Sequence, residues 1–165
     1  GKAEYMTERS DRDRLMKLCR ASSSMPLVSP IVNVDGVPYL DGGLADSIPV
    51  KRAQALGNEK IIVILTRNPG YRKKPTSRGV KSLYKRAYKK YPNLVRTAIK
   101  RSMIYNQQME LVEKLEDEGK IFVIRPLIPT VSRLEKNYDA LMHFYEHGYR
   151  LMKRQYQALQ EYMEK

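Results

Sequence analysis

Two short aliphatic runs limit most strongly what this chain can fold into. Residues 60–66 (Lys-Ile-Ile-Val-Ile-Leu-Thr) and residues 120–125 (Lys-Ile-Phe-Val-Ile-Arg) each have the length of one strand and show no polar–apolar alternation. A strand wetted on one face alternates. One covered on both faces does not, and that is the habit of parallel sheets. Helical sequence fills the interval, and strand, long crossover and second strand make up a βαβ unit. The fold class is therefore α/β, with both strands expected to be buried on both faces.

The remaining elements follow from local signals. Residues 7–20 read as a helix capped by Thr7 or Ser10, with Leu15, Met16, Leu18 and Cys19 as its apolar stripe. A small-residue turn leads to a hairpin over 31–40, in which Asp35-Gly36 is suited to a two-residue type I′ turn. Pro38 has no N–H to donate, so the return strand belongs at an edge. Pro49 opens a short helix that Gly57 ends. Across 80–91 the apolar positions Val80, Leu83, Tyr84, Ala87, Tyr88 and Tyr91 recur every three or four residues, with basic residues opposite. This amphipathic helix is expected to pack its apolar face inward, which would bury Tyr84, Tyr88 and Tyr91. Pro92 stops it, and a second helix over 93–118 closes at Gly119. The tail, 138–164, is one long helix whose stripe of Tyr138, Leu141, Met142, Tyr145, Tyr149, Met152, Tyr156, Leu159 and Met163 must lie against something.

Charge adds a partner class. The net charge is +13, and between Arg67 and Met109 there are 13 Lys/Arg and no acid. The other 18 basic residues balance the 18 acidic ones (31 − 13 = 18), so the excess belongs to this one segment. Lys81, Lys85, Arg86, Lys89 and Lys90 could face anionic lipid, nucleic acid or an acidic partner, or simply form a solvated surface. A nucleic-acid module would need free tyrosines for stacking, and the helical stripe argues against that. No apolar run approaches the ~20 residues of a membrane-spanning helix, and residues 1–20 lack the apolar centre of a signal peptide. One cysteine excludes an internal disulfide and a Cys-rich zinc site. The expected location is cytoplasmic, or peripheral to a membrane, and no cofactor is expected.

Asp41 is the leading candidate for chemistry. It follows a strand, and Gly42-Gly43 lets the backbone turn sharply and leaves the carboxylate uncrowded. Strand-end positions are where α/β enzymes tend to place functional groups. Asp46, three residues before Pro49, is read instead as the cap of the following helix. His143-Phe-Tyr-Glu146-His147 spells the inverted zinc-protease signature. It lies beside polar positions with no third ligand in prospect, and is read as an exposed helix face.

The order Arg20-Ala-Ser-Ser-Ser-Met-Pro26, hairpin, Tyr39-Leu-Asp-Gly-Gly-Leu-Ala-Asp-Ser-Ile-Pro49, helix and strand resembles the C-terminal portion of the patatin-like phospholipase family. The resemblance covers roughly residues 15–66. It implies the last part of a three-layer α/β/α domain over 1–68, followed by a basic helical extension over 69–165 with one further strand near 120–125. It also implies lipid acyl-ester hydrolysis by a Ser-Asp dyad, with Asp41 as the acid and Gly42 and Gly43 supporting it. The family's nucleophile sits earlier, in a Gly-x-Ser-x-Gly elbow, and its oxyanion loop earlier still. Neither motif occurs in these 165 residues. Ser22, Ser23 and Ser24 lack the flanking glycines of an elbow and are read as a turn. The resemblance therefore implies a nucleophile half preceding Gly1, an isolated chain without activity, and self-association through the faces that half would cover. A patatin-like scaffold without catalysis is the alternative.

Overall fold

Asp11 starts the first helix, α1 (Arg12–Ser22), its carboxylate accepting from the Arg14 N–H at 2.9 Å. Thr7 and Ser10, the expected caps, lie upstream. Glu8 pre-empts their role by accepting from the N–H groups of Arg9, Ser10 and Asp11. The computed structural model describes residues 1–132 and 134–164. The chain divides into two compact units: Gly1–Pro49 with Arg72–Met109, and Val50–Tyr71 with Glu110–Lys165. Each unit draws residues from both sides of position 68, so compactness and the sequence-based division follow different lines.

In the first unit, β1 (Val32–Val34) and β2 (Val37–Tyr39) pair antiparallel, Val34 opposite Val37. Asp35 and Gly36 both take positive φ, 52° and 81°, which defines the expected type I′ turn. Ala21, Val32 and Val34 form a buried cluster joined by Leu18 and Tyr39, so the hairpin packs on α1. Gly42–Leu44 is a single 3-10 turn. Ser77 caps α3 (Arg78–Ala87), and Pro92 is the first residue of α4 (Pro92–Asp117). α4 runs to Met109 in this unit and buries Val95, Ala98, Tyr105 and Met109.

The packing of α3 differs from expectation. Tyr88 is buried, its hydroxyl accepting from the Leu27 N–H at 2.8 Å, and Tyr84 is half-buried. Val80 and Leu83, however, are 40% and 49% exposed, and Ala87 and Tyr91 are exposed too. At 100° per residue the apolar arc runs from Leu83 through Ala87, Val80 and Tyr84 to Tyr88. Only the Tyr84–Tyr88 edge meets protein. The Leu83 edge stands in solvent, bordered by Arg86.

In the second unit, α2 (Val50–Ala55) ends at Gly57, where φ is 76°. β3 (Ile62–Ile64) and β4 (Phe122–Ile124) pair parallel in the register Ile62 to Phe122, as the aliphatic runs predict. The α/β class, with a hairpin and a parallel pair, is thus observed and is consistent with a patatin-type fold. Cover on both faces is observed in β4, where the successive residues Val123 and Ile124 are both buried, but not in β3. Ile61, Val63 and Leu65 are buried, but Ile62 and Ile64 point the other way and are 42% and 72% exposed.

The tail helix α5 (Tyr138–Glu164) has its expected bounds but turns a neighbouring face inward, one that shares Leu159 with the expected stripe. Leu151 is buried, and Phe144, His147, Leu159 and Tyr162 are half-buried along one side. Tyr138, Leu141, Tyr145, Tyr149, Tyr156 and Met163, most of the expected stripe, are exposed. The helix carries two apolar arcs, and sequence spacing weighted the one richer in tyrosine. The inward arc includes a specific polar anchor. The Tyr162 hydroxyl accepts from the Ile61 N–H at 3.0 Å and lies 3.1 Å from the Lys120 carbonyl, tying α5 to both strand starts.

Candidate functional site around Asp41

The backbone of Asp41 is fixed before its side chain comes into play. Its N–H donates to the Ser24 carbonyl at 2.8 Å, joining the end of the hairpin to the serine turn. Ser24 is buried, and its hydroxyl donates to the Arg20 carbonyl at 2.7 Å, while Ser23 donates to the carbonyls of Cys19 and Arg20. Ser23 and Ser24 are therefore turn residues spent on the C-terminus of α1, and Ser22 is the last residue of that helix.

The Asp41 side chain is held by one oxygen only. Oδ1 accepts from the Gly43 N–H at 2.7 Å, which caps the 3-10 turn. Oδ2 has no hydrogen-bond partner among the described residues. The glycines contribute unequally to this openness. A Cβ at Gly42 would meet nothing within 4 Å, whereas one at Gly43 would lie 3.0 Å from Asp41 Oδ1. Gly42 keeps open space beside the acid, and Gly43 allows the close approach of its own N–H.

Asp46 does not cap the following helix. Gln108 Nε2 donates to its Oδ1 at 2.5 Å, and the Tyr5 hydroxyl donates to its Oδ2. With both oxygens occupied it is a fastening point, in contrast to Asp41.

Asp41 lines a groove of about 1090 Å³ within the first unit, slightly above the ~300–1,000 Å³ typical of small-molecule sites. Leu15, Leu18, Val37, Leu44 and Leu94 give it apolar walls, and Lys90 and Arg96 also line it. Tyr39 is another lining residue, its hydroxyl donating to Glu4 Oε2 at 2.7 Å. That bond to a carboxylate, with loss of water, raises the Tyr39 phenol above its ordinary range, so it remains a neutral donor.

Two residues of the turn's surroundings were not foreseen. Arg101 Nε donates to the Gly43 carbonyl at 2.8 Å, and Gln108 Oε1 accepts from the Ile48 N–H at 3.2 Å. They stand seven residues apart, hence on one side of α4. Their one sequence signal is that they flank the apolar stripe of Ala98, Tyr105 and Met109; nothing local links them to the turn.

The other candidates separate. Lys85, Arg86, Lys89 and Lys90 are exposed and Lys81 half-exposed, and none makes an ion pair among the described residues. His143 is exposed as expected. His147 is not: it is half-buried, and its Nε2 accepts from the Leu127 N–H at 3.1 Å. That bond occupies one of its two nitrogens, and no cluster of potential metal ligands occurs among the described residues. None of the described helices is long and apolar enough to cross a membrane.

Comparison with known proteins matches two separate segments of the chain. Residues 91–164 match a family described as a domain of unknown function, DUF6363. A relative in Escherichia coli (strain K12), named "Uncharacterized protein YjjU", is 42% identical over 52 residues, which are 31% of this chain and 15% of that protein. The match thus spans a small part of the relative's length. Residues 3–53, which contain α1, the hairpin and the Asp41 turn, match the family described as patatin-like phospholipase, and that is the family this part of the chain resembles.

Proposed function

We propose that this chain contributes the acid/base aspartate of a lipid acyl-ester hydrolase with a Ser-Asp dyad. The observation that carries the reading is Asp41 itself: inside the patatin-like segment, anchored through its N–H and Oδ1, bare at Oδ2, and lining an apolar groove. A serine hydroxyl attacks an ester only as a base removes its proton. Asp41 Oδ2 would accept that proton and return it to the leaving alcohol, the seryl oxygen having bonded to the carbonyl carbon. The serine and the oxyanion donors would come from sequence outside these 165 residues. The 165-residue chain alone is then inactive: it neither hydrolyses p-nitrophenyl esters above background nor labels with a fluorophosphonate. Stoichiometric labelling of Ser22, Ser23 or Ser24 would overturn this.

The groove's aliphatic walls suit an acyl chain, and the exposed Leu83 edge of α3 with its cations suits an anionic lipid surface presenting that substrate. In the complete protein, Asp41→Asn is expected to lower kcat by at least about three orders of magnitude, because shape is kept and the base is lost. Asp46→Asn, already satisfied by two donors, is expected to cost far less. Equal losses would mean that neither carboxylate is the proton acceptor.

A further inference from the structure

We propose that Arg101 and Gln108, on the helix that opens the DUF6363 segment, are positioning residues for the Asp41 turn, so that part of this domain of unknown function completes a patatin-like site. The inference rests on the hydrolase reading for its consequence but not for its geometry.

The turn that carries Asp41 is short and rich in glycine, and of residues 42–44 only Leu44 has a side chain to bury. Residues 42–44 make one 3-10 turn, whose internal bonds are Leu44 N–H to the Asp41 carbonyl and Ala45 N–H to the Gly42 carbonyl, each 3.1 Å. These hold the turn together without fixing its orientation. The Asp41 N–H bond to Ser24 and the buried Leu44 hold one side of the turn, and α4 holds the other. The Gly43 carbonyl accepts from Arg101 Nε at 2.8 Å and from the Ser47 hydroxyl at 2.6 Å. Two turns further along α4, the Gln108 amide bonds Asp46 and the Ile48 N–H together. One helix face thus grips residues 43, 46 and 48.

Gly43 is the junction. Its carbonyl is held by Arg101, and its N–H holds Asp41 Oδ1 at 2.7 Å. The two groups belong to adjacent peptide planes, so a rotation of the turn that released the carbonyl would also move the N–H that aims the carboxylate. Arg101 Nη2 lies 3.7 Å from the Cβ position of Gly43, close to the turn but making no bond to Asp41 itself. Arg101 therefore acts on the acid through Gly43.

The substitutions Arg101→Met, Arg101→Lys and Gln108→Ala test this in two arms. In this chain, amide hydrogen exchange at Gly43, Leu44 and Ala45 reads the turn without reference to activity. Arg101→Met should raise it by about tenfold or more as the turn begins to open locally, and Arg101→Lys by much less. In the complete protein, Arg101→Met should lower kcat by about 10- to 100-fold with KM nearly unchanged, the effect of misplacing a catalytic group by a fraction of an ångström. Arg101→Lys should recover most of that loss. If Arg101→Met does not fold, as judged by circular dichroism, the lysine and Gln108→Ala variants carry both arms. Unchanged exchange overturns the clamp. Unchanged kcat in a protein that Asp41→Asn inactivates overturns its catalytic consequence, whereas an active Asp41→Asn protein would sink the hydrolase reading alone.

Discussion

Replacing Lys85 and Lys89 together with glutamate probes the surface on which α3 would sit. Four exposed cations without ion pairs among the described residues, Lys85, Arg86, Lys89 and Lys90, lie along or just beyond the helix. Each contributes about 1 kcal/mol near an anionic leaflet, so roughly 4 kcal/mol together. Val80 and Leu83 are 40% and 49% exposed. Completing the burial of each adds about 1 kcal/mol, half the value for a whole aliphatic side chain. The sum, about 6 kcal/mol, corresponds to a partition constant of roughly 10⁴ M⁻¹, comparable to one myristoyl chain and therefore reversible. Two charge reversals remove about 4 kcal/mol, lowering binding about a thousandfold, while Leu83→Gln removes about 1 kcal/mol, near fivefold. Co-sedimentation with vesicles of graded anionic-lipid content measures both, and added salt should weaken binding by screening. Nucleic acid would weaken with salt as well, so single-stranded and duplex oligonucleotides at the same ionic strength complete the assay. Equal binding to neutral and anionic vesicles, or oligonucleotide binding without vesicle binding, would refute the reasoning.

Three further outcomes are expected. Tyr162→Phe leaves the buried Ile61 N–H without its acceptor, at a cost of about 1–3 kcal/mol, visible as a fall in Tm by thermal melting; an unchanged Tm would mean that α5 is not anchored there. The hydrogen bonds from the Ser10 N–H and then Arg14 depress the Glu8 carboxyl well below its ordinary range, so its stabilising effect is complete above about pH 4.5 and is lost as pH falls toward the folded value. The Tm gap between the native chain and Glu8→Gln should therefore narrow from pH 5 toward pH 2, and a gap that widens would contradict the sign. Exposed Ile62 and Ile64, with the open tyrosine arc of α5, should make the chain self-associate. A monodisperse monomer at micromolar concentration by light scattering would count against that.

What sequence reasoning could reach divides by distance along the chain. Asp35-Gly36 declares its turn within two residues, Pro92 and Gly119 bracket α4, and the aliphatic runs announce their parallel partnership because the type of strand depends on its own side chains. Periodicity also located α3 and α5. It did not orient them, since a helix with a wide apolar arc can present either edge, and burial alone chose Tyr88 over Leu83 and Leu151 over Tyr149. The turn at Asp41 was legible because two glycines follow it. Asp46 was misread as a cap because its actual donors, Tyr5 and Gln108, stand 41 and 62 residues away. Arg101 and Gln108 were missed, and His147 was read as exposed, for the same reason: a side chain that bonds a distant backbone group leaves no local trace.

The single anchored oxygen of Asp41 also bears on where a proton can reside. The two oxygens of a free carboxyl group exchange identity by a half-turn about Cβ–Cγ, so a bound proton has no fixed address. Here Oδ1 accepts from the Gly43 N–H, and a proton on that oxygen would leave it a weaker acceptor. The neutral acid thereby favours one form, with its O–H on Oδ2. An aspartate held in this way would hand a proton back from the same atom that received it, with no conformational search between the two transfers.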